Sequence, residues 1–278
     1  MFRYNLPLIG RVYRERDELR QRLGGGLPST IPAGSGIESL ARLHEERSHD
    51  SFRVYITNRA QQEVNLLTEL RRRTAVECAD YADQYMTNAL HFETRERLLD
   101  YAVTKINSTE NSIKNGLLLE FGVYRGHSIN YFAERIDPKR RFYGFDSFEG
   151  IHVDWHGNDL SKGAFDVGGV LPEVRPNVTL VKGWFDKTLP PFFAEHPEPI
   201  AFVSHDCDTY EAAKIVFQFT ADRLRPGTMI VFDDYWGYRG WKSGEHKAWR
   251  ELVEERKITY EYLAFTIQQV FVKITAVG

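Results

Sequence analysis

The sequence predicts an α/β domain built on an open, mostly parallel sheet with helices on both faces, preceded by a helical extension. Three observations predict it. Short, continuous apolar runs recur from about residue 115 onward, helical stretches separate them, and the last two β-rich runs follow one another with little room between. Continuous apolar strands alternating with helices indicate a parallel sheet covered on both sides. The chain has 278 residues, of which 42% are hydrophobic, 27% charged and 13% aromatic. That length suits one large domain, or one domain with an extension, and allows a sizeable core.

Taken in order, residues 6–23 offer a short helix, with Leu8, Val12, Leu19 and Leu23 set among charged residues. It ends at Gly24-Gly25-Gly26, and the run to Gly36 is linker-like, rich in Gly, Pro and Ser. Helical patterns follow over 37–47 and across much of 60–112, where apolar residues recur at three and four spacing. Arg71-Arg72-Arg73 reads as a solvated helix face. Residues 1–110 are thus expected to form a helical extension and 111–278 the sheet domain.

In that domain the runs 116–123, 140–146, 178–183, 200–206 and 227–234 each read as a buried strand. Helices are expected near 126–136, 185–195, 209–224 and 244–256. The runs YEYLAFTI and QQVFVKI then read as an antiparallel pair closing one edge of the sheet. Ligands on such sheets sit at the carboxyl ends of the strands, and the polar motifs fall at those ends.

Charge and cysteine content exclude several classes. Lys and Arg number 36 against 39 Asp and Glu, a net charge of −3, so no broad basic footprint for nucleic acid is expected. No stretch of 18 apolar residues exists, which argues against a membrane span, and the first residues turn charged before an apolar segment of signal-peptide length develops. Cys78 and Cys207 lie far apart and make no metal-type pair, so a reducing, cytoplasmic setting is expected.

The first strand ends in Glu120-Phe121-Gly122-Val123-Tyr124-Arg125-Gly126-His127-Ser128. Gly122 and Gly126 permit a tight turn and close backbone approach, and Ser128 suits capping of the helix that follows. Tyr124 stands where a dinucleotide fingerprint wants glycine, so the loop suits a ligand with no pyrophosphate to seat. Asp146, at the end of the second strand, is where a carboxylate holds a ribose diol. Together these features predict a nucleoside-containing ligand and leave S-adenosylmethionine and a nicotinamide cofactor both open.

Asp206 and Asp208 end the fourth run, and Asp233 and Asp234 the fifth. Carboxylates gather in a half-buried cleft when something cationic neutralises them, and a hard divalent cation with oxygen ligands, Mg²⁺ foremost, answers that need. Asp206, Asp233 and Asp234 are the candidate ligands, with Asp208 facing the substrate as general base. His205 reads as a packed, hydrogen-bonded core residue, and Cys207 as a buried, inert thiol. Two long loops follow Asp146 and Asp234 and carry Trp155, His156, Trp236, Tyr238 and Trp241. Such aromatic faces suit a sugar or phenolic acceptor, or a lid packing onto itself.

The motifs LLLEFGVYRGHSIN, YGFDSFEGI, FVSHDCDTYEAAKIVF and PGTMIVFDDYWGYRGWKSGEHKAW, in that order, resemble the macrocin O-methyltransferase family of class I S-adenosylmethionine-dependent enzymes. The likeness covers about residues 115–275. It implies a Rossmann-like, seven-stranded sheet with a reversed terminal strand, and Mg²⁺-dependent methylation of a hydroxyl on a sugar of a natural product or surface glycan. Glu120, Gly122, Val123, Tyr124, Gly126, Ser128 and Ser147 would line the S-adenosylmethionine pocket, with Asp146 on the ribose. Asp206, Asp233 and Asp234 would bind Mg²⁺ and Asp208 would be the general base. The family commonly has an apolar residue before the first metal acid, where this chain has His205. A small-molecule or glycan acceptor is the partner implied, without nucleic acid, and the leading helices suit assembly into a homo-oligomer. The rival readings are a nicotinamide-dependent oxidoreductase and a non-catalytic scaffold on the same fold.

Overall fold

The computed structural model describes residues 65–108 and 113–278, with residue 58. The chain divides into two compact units, 1–65 and 66–278, and the second is described below. The expected helices at 6–23 and 37–47 and the linker at 24–36 lie outside the described residues.

Helix α1 (65–85) and the two-residue strand β1 (Leu90–His91) lead into α2 (Arg95–Asn107). Thr94 caps α2 by accepting from the Arg97 N–H, and Leu98, Leu99, Ala102, Val103 and Ile106 recur at helical spacing to bury one face. The units that follow are β2 (Leu117–Phe121), α3 (His127–Arg135), β3 (Phe142–Asp146), β4 (Val178–Lys182), α4 (Phe185–Glu195), β5 (Ile200–His205), α5 (Tyr210–Thr220), β6 (Met229–Phe232), α6 (Glu245–Glu255), β7 (Thr259–Phe265) and β8 (Val270–Ala276). The strand order is β1-β7-β8-β6-β5-β2-β3-β4. Only β8 is antiparallel to its neighbours.

All residues of β2, β5 and β6 are buried, as strands covered on both faces must be. Their alternate residues feed two separate apolar layers. Leu117, Leu119, Phe121 and Val203 pack with α4, α5 and α6 on one side. Leu118 and Phe202 pack with α2 and α3 on the other. From β2 the chain proceeds to β3 and β4 on one side and returns through β5 on the other, so β2 and β5 form the switch point where such sheets open a crevice.

Two differences from expectation concern the edges. The sheet has eight strands rather than seven, and the closing pair is not its edge, because β1 adds outside β7. Two residues are too few to show a periodicity. The compact unit also begins near residue 66, not 111, so α1 and α2 pack with the sheet. Tyr81 of α1 shows why: its hydroxyl lies 2.8 Å from that of Tyr262 and its ring packs edge-on against Trp241. The arginine run of α1 is exposed, with Arg72 and Arg73 paired to Glu69. Among the described residues no helix is long and apolar enough to cross a membrane.

Candidate active site

At the switch point the β2 and β5 loops touch. Gly122 holds φ +84°, and a Cβ there would lie 1.6 Å from the carbonyl oxygen of Asp206. Only glycine fits a left-handed backbone at such a contact. Asp146 fixes the rest of the turn. Its Oδ2 accepts the N–H groups of Val123 (2.8 Å) and Tyr124 (2.7 Å), and its Oδ1 accepts that of Phe148 (2.7 Å). Three of about four acceptor positions on this carboxylate are therefore used by backbone. Asp146 shapes the loop while it also lines the cavity described next.

A cavity of about 750 Å³ opens beside this loop, bounded by Gly122, Val123, Tyr124, Asp146 and Ser147 on one side and by the carboxylates on the other. That volume lies within the range of small-molecule sites. Glu120 and Ser128 are not on its wall. Both are buried, and the Ser128 hydroxyl donates to Glu120 Oε1 at 3.0 Å beneath the loop. Burial pushes the Glu120 carboxyl up to about 8. Gly126 too is off the wall, and a Cβ there would meet the side chains of Asn130 and Pro172.

The acids at the ends of β5 and β6 converge as their positions predict, though not in the predicted grouping. Carboxylate oxygens of Asp206, Asp208 and Asp234 lie within 4.8 Å of one another. Asp233 is instead held by Arg95, whose Nε donates to Asp233 Oδ1 at 2.6 Å while Nη2 donates to Asp206 Oδ2 at 3.2 Å. Gln268, from the β7–β8 turn, donates to Asp234. Burial, then mutual repulsion, raises the proton affinity of the whole group. Asp206 and Asp234 are pushed well above the ordinary carboxylate range, and Asp208 reaches about 8. Asp233 is raised by burial and pulled back by Arg95. Asp208 has φ +62°, a left-handed conformation that aspartate tolerates better than most residues. The helix cap is its neighbour Thr209, so Asp208 is not committed to capping α5.

Behind the acids lies a buried support. His205 and Glu245 are fully buried, with His205 Nδ1 3.0 Å from Glu245 Oε1, and the same oxygen accepts the Cys207 N–H at 3.0 Å. The His205 ring stacks on Phe217, and burial pushes the Cys207 thiol up, which keeps it protonated. Glu245, at the start of α6, thus ties down both neighbours of Asp206. Glu245→Ala leaves the buried Cys207 N–H unpaired, at about 1–3 kcal/mol, and His205 Nδ1 with only the Cys207 sulfur at 3.6 Å, and thermal melting should show a loss of several degrees. Glu245→Gln keeps the shared oxygen and should melt near the parent. Equal melting of parent and Glu245→Ala would contradict this support.

The aromatic residues divide. Trp155 lines the cavity and packs edge-on against Tyr238. Trp236 and Trp241 are core residues instead, their indole N–H groups donating to Thr266 O and to Glu77. Tyr238 is off the cavity wall, and His156 is exposed. The loop after Asp234 thus folds inward onto α1, because its rings find the apolar face around Tyr81. Phe165 and Trp184 supply aromatic cavity wall that sequence reasoning did not select. Arg95 and Glu245 were missed as well, since neither is near the acids in sequence.

A mostly parallel, doubly wound sheet with one reversed strand and a cavity at its switch point is a Rossmann-like architecture. Residues 119–235 match the family profile described as a methyltransferase domain. Over 141 residues it is 31% identical to 8-demethyl-8-(2,3-dimethoxy-alpha-L-rhamnosyl)-tetracenomycin-C 4'-O-methyltransferase of Streptomyces olivaceus. That match spans 43% of this chain and 53% of the relative, about half its length. A calicheamicin methyltransferase crystal structure has the same fold, with a TM-score of 0.52 at 23% identity, over 74% of this chain and 91% of that one.

Proposed function

We propose that the protein transfers a methyl group from S-adenosylmethionine to a hydroxyl, on a sugar of a natural product or surface glycan, with the help of a divalent cation, Mg²⁺ foremost. The observation that carries this reading is the convergence of four carboxylates, two of them bridged by one guanidinium, at the wall of a cavity shared with the β2 loop. The sugar as acceptor is supported by the name of the Streptomyces relative. The donor set fits a hard cation, because every candidate ligand is a carboxylate oxygen and the acids are raised by burial and then by their own repulsion. Asp206 and Asp234 would hold it, with Asp233 completing the set. When bound, the cation supplies Lewis-acid polarisation of the acceptor hydroxyls.

The chain's own residues supply alignment and a proton acceptor. The loop pinned by Asp146 gives the donor a rigid wall, and Trp155, Phe165 and Trp184 give flat apolar faces for the sugar and its attachments. Asp208 takes the hydroxyl proton as the oxygen attacks the methyl carbon. The new C–O bond forms as the C–S bond breaks, leaving neutral S-adenosylhomocysteine and a methyl ether.

Incubation with isotopically methyl-labelled S-adenosylmethionine and a panel of glycosides, read by mass spectrometry, tests the reading. Label should enter the acceptor, EDTA should stop it, and Mg²⁺ should restore it. Full turnover in EDTA would remove the cation, and binding of NAD in place of S-adenosylmethionine would favour the oxidoreductase.

A further inference from the structure

Arg95 stands where the carboxylates are most crowded, yet it belongs to none of the elements that carry them. It is the first residue of α2, following the Thr94 cap, and its approach is set by β1, which hangs on β7. Its guanidinium spans Asp233 Oδ1 at 2.6 Å and Asp206 Oδ2 at 3.2 Å. Lys187 also lines the cavity, but it pairs with the adjacent Asp186 at 2.8 Å. Among the described residues, Arg95 is therefore the cation that balances Asp206 and Asp233. One positive charge against Asp206, Asp208, Asp233 and Asp234 leaves the cluster undercompensated, which favours a stronger cation on the same oxygens. The Arg95 side chain is also 33% exposed, so it has room to withdraw without crossing the core.

We propose that Arg95 is a displaceable counter-cation: it holds Asp206 and Asp233 in the cation-free protein and releases those oxygens when a divalent cation takes them. The inference rests on the cation-dependent reading above. It has two consequences. Cation binding must break two charge-assisted hydrogen bonds, so Arg95 weakens affinity for the ion. In return, Arg95 keeps the acids from repelling one another while the ion is absent.

Mn²⁺ binding, followed by electron paramagnetic resonance and calorimetry on the full chain, tests it alongside melting in EDTA. Arg95→Met should bind Mn²⁺ at least about tenfold more tightly than the parent, equivalent to about 1.4 kcal/mol. It should also melt at a lower temperature in EDTA, and Mn²⁺ should restore the loss. Arg95→Lys, which keeps the charge without the fork, should fall between the two and carries the comparison if Arg95→Met does not fold. Equal or weaker Mn²⁺ binding in the variants, with the parent binding normally, overturns the displacement and leaves the cation site standing. Absence of Mn²⁺ binding in parent and variants alike overturns the cation reading itself, and this proposal with it.

Discussion

Asp208→Asn should lower kcat by about 10²–10⁴, the range for loss of a positioned general base, while S-adenosylhomocysteine binding by calorimetry stays near the parent's. Asparagine preserves the size of the side chain and its tolerance of the left-handed backbone at φ +62°. What it removes is the group that accepts the proton. The pH profile gives an independent check. Burial and neighbouring charges hold Asp208 near 8 in the cation-free protein, and a base must be deprotonated to act. Activity should therefore fall as pH drops through the pKa of Asp208, with a bound cation moving that limb below about 8. The limb should vanish in Asp208→Asn. Mn²⁺ affinity separates two roles that the geometry brings close, because Asp208 oxygens lie within 4.8 Å of those of Asp206 and Asp234. A base leaves Mn²⁺ affinity largely intact when replaced. A collapse of affinity together with kcat would make Asp208 a ligand, and unchanged kcat would remove it from the reaction.

How much of this site the sequence shows depends on whether a feature is local. The five apolar runs from 116 onward are legible because strands buried on both faces read as near-continuous apolar runs, and every residue of β2, β5 and β6 is buried, with polar Glu120, Ser204 and His205 only toward the carboxyl ends. The acids of β5 and β6 are legible because adjacent strand ends in a parallel sheet must converge. Their grouping is not legible. Asp233 and Asp206 are bridged by Arg95, which arrives from a helix 111 residues before Asp206 in the chain. The same holds for Glu245, brought beside His205 by the packing of α6. The aromatic loop after Asp234 misleads for a physical reason. Trp236 and Trp241 resemble a binding surface in composition, but their indole N–H groups find partners and their rings find α1, so they are core. The three backbone N–H groups that Asp146 accepts are not legible either, since they depend on how the β2 loop folds over the end of β3.

Gly122→Ala should be among the most damaging single changes in the domain, through a methyl group that touches no substrate. The left-handed backbone alone costs an L-residue about 1–2 kcal/mol, worth roughly 2–8 °C of melting temperature in a domain of this size. The close approach adds to that. A Cβ at 1.6 Å from the Asp206 carbonyl oxygen, and 2.7 Å from its carbon, cannot be accommodated by a side-chain rotation. The β5–α5 turn must move, and that turn carries Asp206 and Asp208. The Asp206 N–H is bonded to Phe121 O at 2.9 Å, so the displacement also strains the β2–β5 ladder. Gly126→Ala is the matched control. Gly126 has a similar φ of +77°, but its Cβ would meet only side chains of Asn130 and Pro172 at 3.4 Å. Both variants incur the conformational penalty and only Gly122→Ala incurs the overlap. Gly122→Ala should therefore melt well below Gly126→Ala and should lose Mn²⁺ binding that Gly126→Ala retains. If the two melt alike and bind Mn²⁺ alike, the contact between the β2 and β5 loops is not what holds the carboxylates in place.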